Sequence, residues 1–200
     1  MSKSKNVLRT FFFELVIIFI GVYGAFELNR YQENKRQHKI QLNYLSSFRS
    51  ELGSIRAAVG QTKAQVDGLI KRMEEGIAAG EEPTLVLPNL YFLKALLITQ
   101  IGLSDDVFVQ LDPGLAVSLS GGYDMVQTTS LRIKDFNNLC NNKLVSDSPL
   151  QFYDRQSQLR PEYNWYMEGL RDIQQRLTII LQVIDEGAMP GTDQLLNALD

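Results

Sequence analysis

The chain has 200 residues, of which 44% are hydrophobic and 22% charged, so it amounts to about one domain of ordinary globular composition. This composition excludes a wholly disordered chain, a collagen-like chain and a disulfide scaffold. The net charge of −3 argues against a general nucleic-acid binder, and one Cys with one His is too few for a Cys/His metal site within a single chain.

A membrane-spanning helix is predicted near the start of the chain, over residues 10–28, after a basic tail at residues 1–9. Its uncharged core, Leu15 to Phe26, has 12 residues, whereas a spanning helix needs about 20. The segment reaches that length only when Glu14 is included. A cleaved signal peptide is the alternative, but no small-residue cleavage site precedes a polar mature start. We therefore expect an uncleaved anchor with the lipid bilayer as its partner.

The flanking charges give the predicted orientation of this anchor. Three basic residues precede it and four follow it within a short distance, so the positive-inside count is nearly balanced. The short, purely basic tail favours a cytoplasmic N-terminus. The sequence thus predicts a single-pass protein of the bacterial inner membrane whose C-terminal domain is periplasmic.

One face of the predicted anchor combines a carboxylate with small residues. A charged side chain in the hydrocarbon region is costly and usually faces protein or water. Small residues at helical spacing let another backbone approach closely. The face therefore predicts intramembrane helix packing against a second copy or another membrane subunit. The alternative is a Glu that lies near the headgroups and is merely tolerated. The packing residues are Glu14, Ile18, Gly21, Gly24 and Ala25.

A long membrane-proximal helix is predicted over residues 29–79. Its apolar residues recur every three or four positions over four heptads, with Thr62 as the one weak position. Such spacing is typical of a coiled coil or a long bundle helix. The partner of this seam is either the C-terminal helix of the same chain or a second copy. The seam consists of Leu45, Phe48, Leu52, Ile55, Val59, Val66, Leu69 and Met73.

A Gly- and Pro-containing linker follows at residues 80–88, and a helical domain at 89–186 is expected to pack back on the long helix. Within it we predict a buried helix over residues 89–102 and a short helix from Asp112-Pro113 to Gly121-Gly122. A third helix is predicted from Ser130 to Leu144.

The last long helix is predicted to open at Ser148-Pro149, to kink or split at Pro161, and to stop at residues 187–191, which leaves a tail over 187–200. The fold class is therefore all-α. A transmembrane helix continues into a long heptad helix, and this packs with C-terminal helices as an elongated bundle.

No recognised catalytic, phosphate-binding or metal-binding motif occurs, so neither an enzyme nor a cofactor is predicted. Cys140 lies at helical spacing with Ile133 and Phe136, which favours a small buried residue over an interchain disulfide. An aromatic group on the last helix is expected to be either core or a partner surface; it comprises Tyr163, Trp165 and Tyr166.

The anchor resembles the N-terminus of an uncharacterised family of bacterial single-pass membrane proteins. The matching residues are Glu14, Gly21, Ala25, Asn29, Tyr31 and Glu33, although the family often has Trp where this chain has Tyr31. A second block, Leu119 to Leu139, is similar to a family segment in which one helix ends and another begins. The resemblance implies a membrane anchor with a helical exported domain, and it implies no activity and no catalytic residues.

The leading hypothesis is a non-enzymatic, membrane-anchored assembly or accessory protein that acts through helix packing. Two alternatives stay open. One is a ligand-sensing bundle that signals through a membrane partner, and the other is an ion-coupled oligomer that depends on Glu14.

Overall fold

The computed structural model describes the backbone of residues 3–91, 113–145 and 152–199, and the side chains of these residues from Ile17 onward and, after the first gap, from Gly121 onward. Contacts divide the chain into two compact units, with the boundary between Tyr44 and Leu45. The described residues are helical apart from connecting segments and one isolated bridge between Tyr153 and Leu159. The predicted all-α class, with a long N-terminal helix and C-terminal helices, is confirmed.

Helix α1 runs without interruption from Lys3 to Ala78, so it covers both the predicted anchor and the predicted long helix. It ends in a glycine cap. Gly80 has a φ of +74°, which glycine adopts without steric cost. The N–H of Glu81 then donates to the oxygen of Gly76 at 2.9 Å, and that of Gly80 donates to Ile77 at 3.0 Å. These two bonds form a Schellman motif, which satisfies carbonyls that the helix end leaves open.

Residues 81–91 have no regular secondary structure, and we call them the strap. The strap covers most of the predicted linker, 80–88, and the first residues of the predicted helix over 89–102. The remainder of that predicted helix lies outside the described residues.

Helix α2 runs from Pro113 to Leu144 as one element. The predicted break at Gly121-Gly122, with a new helix from Ser130, is therefore wrong. Each glycine in a helix interior costs only about 1 kcal/mol relative to alanine. A Cβ at Gly122 would lie 3.9 Å from the Val183 side chain, so packing against the C-terminal region continues across the pair. The helix-to-helix junction that the second resembling block implies is absent over its described residues, 119–139.

The last long helix begins later in the chain than the sequence predicts. Pro161–Tyr163 form a 3₁₀ turn, and α3 runs from Asn164 to Gln182. Pro161 thus starts the helix, where its missing N–H needs no partner, and does not kink it. The predicted start at Ser148-Pro149 lies outside the described residues, and residues 152–160 form a loop.

The predicted stop at residues 187–191 and the tail over 187–200 are also wrong. A π-helical turn, Val183–Ala188, leads directly into α4, Met189–Leu199. Pro190 is the second residue of α4, where a helix tolerates proline, and the wider π turn precedes it. The hydroxyl of Thr192 is buried and donates to the oxygen of Ala188 at 2.7 Å, which stabilises this junction.

One hydrophobic core holds the second unit together. It takes side chains from α1, the strap, α2, the loop before α3, and α3 with its π turn. Leu181 is partly buried, and the apolar residues of α3 and its π turn that are fully buried in this core are Met167, Leu170, Ile173, Leu177, Ile180 and Ile184. Their burial supplies the largest favourable term in the stability of such a bundle.

Candidate functional site

The most exposed apolar surface of the described chain lies on α1. The large side chains there have exposed fractions of 59–74%. We call this surface the apolar collar; it comprises Ile17, Ile18, Phe19, Ile20, Val22, Tyr23, Phe26 and Leu28.

The collar surrounds the helix instead of following one stripe. Successive residues of an α-helix are about 100° apart, so the four residues from Ile17 to Ile20 point in four directions. All four are at least 61% exposed. A helix that is hydrophobic all round belongs in a surrounding that is apolar on every side.

The predicted packing face lies on this collar. The side chain of Ile18 is 63% exposed, and Ala25 is exposed as well. A Cβ built at Gly21 or Gly24 would have no neighbour within 4 Å. Space for a second backbone is therefore open along the small residues. The side chain of Glu14 lies outside the described residues, so its predicted role stays a prediction.

None of the helices in the described part of the chain is both long and apolar enough to cross a membrane.

The eight seam residues of the long helix are all buried, with exposed fractions of 7% or less. From Phe48 to Met73 the seam residues belong to the same hydrophobic core as side chains of α2 and α3 in the same chain. The weak position, Thr62, is also buried, at 4% exposure.

Side-chain contacts show that α1 and the C-terminal helices run antiparallel. Arg49 bonds to Asp193, and the Arg56 Nε lies 2.6 Å from the Asp185 Oδ1. Further along, the Gln174 Nε2 donates to the Asp67 Oδ1 at 2.7 Å. The residue numbers rise along α1 while those of the contacting residues fall. These contacts therefore fix the register of the two antiparallel elements.

The aromatic group on α3 is core. Tyr163 and Tyr166 are buried, at 7% and 1% exposure, and Trp165 is partly buried. Of the two alternatives expected for these residues, the burial agrees with the core. The Phe136 ring from α2 contacts the group, with its centroid 5.8 Å from that of Tyr166 and 6.2 Å from that of Trp165. Burial of large aromatic area against a neighbouring helix explains this placement.

Side chains from α1 and α2 hold the strap through its backbone. The Thr62 hydroxyl donates to the Tyr91 oxygen at 2.8 Å, and the Gln65 Nε2 donates to the Pro88 oxygen at 2.9 Å. The Asn137 amide bonds Leu90 twice, because its Nδ2 donates to the Leu90 oxygen at 2.8 Å and its Oδ1 accepts from the Leu90 N–H at 3.1 Å. Within the described part of the chain the strap pairs with no β-strand, so these side chains supply the hydrogen-bond partners of its backbone groups.

Two tyrosines complete this set of bonds. The hydroxyl of Tyr153 donates to the Pro83 oxygen at 2.7 Å, and that of Tyr166 donates to the Val86 oxygen at 2.9 Å. Burial raises the pKa of both tyrosines to about 12, and the nearby Glu82 adds to the rise for Tyr153. Both hydroxyls therefore stay protonated, as donors must, far into the alkaline range.

The groove that holds the strap is consequently lined by five donor side chains: Thr62, Gln65, Asn137, Tyr153 and Tyr166. We call it the strap groove. Sequence analysis missed it, because its donors are far apart in the chain. The one local signal was the hydroxyl of Thr62 at a position where the heptad pattern expects an apolar residue.

Metal-ligating groups and the single cysteine are the remaining candidates for chemistry. No three His, Cys, Asp or Glu side chains of the described residues come together as metal ligands. Cys140 is fully buried, and burial raises the pKa of its thiol to about 12. The prediction of a small buried residue at this position is confirmed, and a buried thiol is not placed for an interchain disulfide.

Comparison of the chain with protein-family models, with curated proteins and with solved structures finds no match.

Proposed function

We propose that this chain is a membrane-anchored, non-enzymatic assembly or accessory protein. The observation that carries the proposal is the apolar collar, because a folded protein leaves so much continuous apolar surface open only where lipid or another protein covers it. The bundle from Leu45 onward already covers its own apolar seam, so among the described side chains of α1 those of the collar are the ones left for an outside partner.

Lipid is the proposed surrounding of the collar. Side chains on all sides of the helix are apolar and exposed, which suits a fluid apolar medium better than a single protein face. The proposed anchor, residues 10–28, begins before Ile17, the first residue whose side chain the structure describes. Tyr31 is 65% exposed just beyond the collar, where aromatic rings suit the membrane–water interface.

We place the protein in the bacterial inner membrane with the N-terminus in the cytoplasm and the bundle in the periplasm. The support is the short basic tail before the anchor. A reporter that is active only in the periplasm, fused after Asp200, tests this orientation. High activity of the periplasmic reporter is expected. Activity of a cytoplasmic reporter at the same position would instead show the opposite orientation.

Assembly is proposed to occur at the small-residue face of the anchor. Gly21, Gly24 and Ala25 leave room for a second helix, from another copy or from another membrane subunit. Close packing of two helices would stabilise the pair through van der Waals contacts, because in lipid the hydrophobic effect does not drive helices together.

Native mass measurement of the full chain in mild detergent tests the assembly proposal. Wild type is expected as a complex of defined composition, either with itself or with other membrane proteins. Gly21→Leu fills the open space and should reduce the complex to the single chain. Val22→Leu, an apolar exchange on the same helix, should leave the complex intact. A wild-type chain that is single, with no co-purifying protein, would overturn the proposal.

A further inference from the structure

Basic side chains gather on α1 directly after the apolar collar. Four lie within ten residues, and the same ten residues contain one acidic side chain, that of Glu33. From residue 41 onward the sequence has the opposite balance, with 13 Lys and Arg against 20 Asp and Glu. After the collar, the chain therefore concentrates its net positive charge in one short stretch of helix. We call this stretch the basic belt; it comprises Arg30, Lys35, Arg36 and Lys39.

Three of the four belt cations are left after pairing within the chain. The Arg36 Nη2 donates to the Glu33 Oε1 at 3.0 Å, and the Gln37 Nε2 donates to the same oxygen at 2.8 Å. Arg30, Lys35 and Lys39 are exposed and form no salt bridge with any of the described residues. Their charges are therefore available to an anion outside the chain.

The belt surrounds the helix, as the collar does. Lys35 and Lys39 are one turn apart and share one side of α1. At about 100° per residue, Arg30 points about 140° away from Lys35, and Arg36 points about 100° away from Lys35 in the other direction. Positive charge on several sides suits a layer of anionic headgroups around the helix better than it suits the face of one protein.

The position of the belt along α1 matches the height of lipid phosphates. The helix is continuous from the collar through the belt and rises about 1.5 Å per residue, so Arg30 lies about 3 Å and Lys35 about 10 Å beyond Leu28. The headgroup layer adds roughly 5–8 Å to each side of the hydrocarbon core. Side chains of a helix lean toward its N-terminus, which here is toward the collar, and long basic side chains extend further that way. The belt cations can therefore reach the headgroup layer.

We propose that the basic belt binds the phosphate groups of anionic phospholipids around the anchor. This inference rests on the proposed membrane anchor, although not on its orientation, and it adds the class of lipid that surrounds it. Basic residues next to a membrane-spanning helix are attracted by the negative surface potential that anionic lipids create. The same potential repels the acidic remainder of the chain, so the attraction comes from the belt.

The test is native mass spectrometry of the full chain in mild detergent with equal amounts of phosphatidylglycerol and phosphatidylcholine that carry the same acyl chains. The two lipids differ in the charge of the headgroup, so the ratio of their adducts reports on the belt and not on the collar. Wild type is expected to retain phosphatidylglycerol about fivefold or more over phosphatidylcholine, which corresponds to the attraction of about one cation near the surface.

Variants of the belt should change this ratio in both directions. Arg30→Gln/Lys35→Gln/Lys39→Gln removes the three remaining charges at exposed positions and keeps residues that favour a helix, so the ratio should fall to about one. Lys35→Arg/Lys39→Arg keeps the charges and should keep the ratio. Glu33→Gln releases Arg36 from its salt bridge and should raise the ratio.

The matched control removes three exposed charges from the bundle, in Lys71→Gln/Lys134→Gln/Arg155→Gln, and should keep the wild-type ratio. Equal ratios for wild type and the triple belt variant would overturn the proposal without affecting the anchor, because both proteins would still retain lipid. A wild-type chain that retains neither lipid would overturn both. Loss of a co-purifying protein from the belt variant, with the lipid ratio unchanged, would assign the belt to an acidic protein surface and would also overturn the proposal.

Discussion

The Phe136 ring lies against the backbone of Gly169, so that a Cβ built at position 169 would clash with the ring Cε2 and lie only 2.6 Å from the ring Cδ2. This contact joins α2 to α3. Both residues are buried, and the ring also contacts Trp165 and Tyr166. The ring is therefore held on several sides and has little freedom to withdraw.

Gly169→Ala should destabilise the bundle by about 1–3 kcal/mol, because the added methyl group overpacks the core. Gly53→Ala is the matched control, since a Cβ there has no neighbour within 4 Å and alanine favours the helix by up to about 1 kcal/mol. Urea unfolding of both variants measures the difference. A Gly169→Ala protein as stable as wild type would contradict this account of the α2–α3 contact.

Thr62→Val should lower the free energy of unfolding by about 1 kcal/mol, although it improves the heptad pattern. The substitution removes the hydroxyl that donates to Tyr91, and it leaves that strap carbonyl without its donor. Thr62→Ser should keep most of the stability.

Thr129→Val is the control for Thr62→Val, because it removes a buried hydroxyl that makes no hydrogen bond within the described part of the chain. The Thr129 hydroxyl is buried and has no hydrogen-bond partner among the described residues, so its loss should be neutral or stabilising. If thermal denaturation shows the two valine variants to be equally stable, the bond between Thr62 and the strap does not contribute as proposed.

Tyr166→Phe should change how stability depends on alkaline pH. The pKa of Tyr166 is about 12 in the folded chain, above the ordinary value of 10, so unfolding releases a proton between these pH values. The contribution of Tyr166 is therefore complete below pH 10 and lost as the pH rises through 12. Phenylalanine cannot titrate, so the fall in melting temperature over pH 10–12 should be shallower in the variant. The same slope in both proteins would contradict the assignment.

Cys140 should resist alkylation in the folded chain. Its side chain is fully buried and the pKa of its thiol is about 12, so both access and the thiolate fraction are low. Reaction with iodoacetamide at pH 8, followed by mass spectrometry, should be complete in urea and very slow without it. Rapid labelling of the native chain would show that the α2 core opens readily.

The sequence predicts those parts of the fold that local spacing determines. The seam from Leu45 to Met73 repeats every three or four residues, and each member is buried. The start of α2 at Pro113 follows from the preference of proline for the first turn of a helix.

Local signals fail where tertiary packing overrides them. Gly121-Gly122 and residues 187–191 contain helix breakers, yet packing carries the helices through both. The strap groove has no local pattern at all, because Thr62, Asn137 and Tyr166 are brought together only by the folded bundle.

The most direct test of the central claim, that the collar is a membrane anchor, is flotation of cell membranes in a density gradient after alkaline carbonate extraction. Wild type should float with the lipid. A variant with Ile18→Asp, Phe19→Asp and Ile20→Asp should stay at the bottom, because carboxylates on the collar cost several kcal/mol in hydrocarbon. Leu131→Asp, at an exposed position on α2, should float like wild type. A wild-type chain that carbonate releases into the soluble fraction would contradict the account.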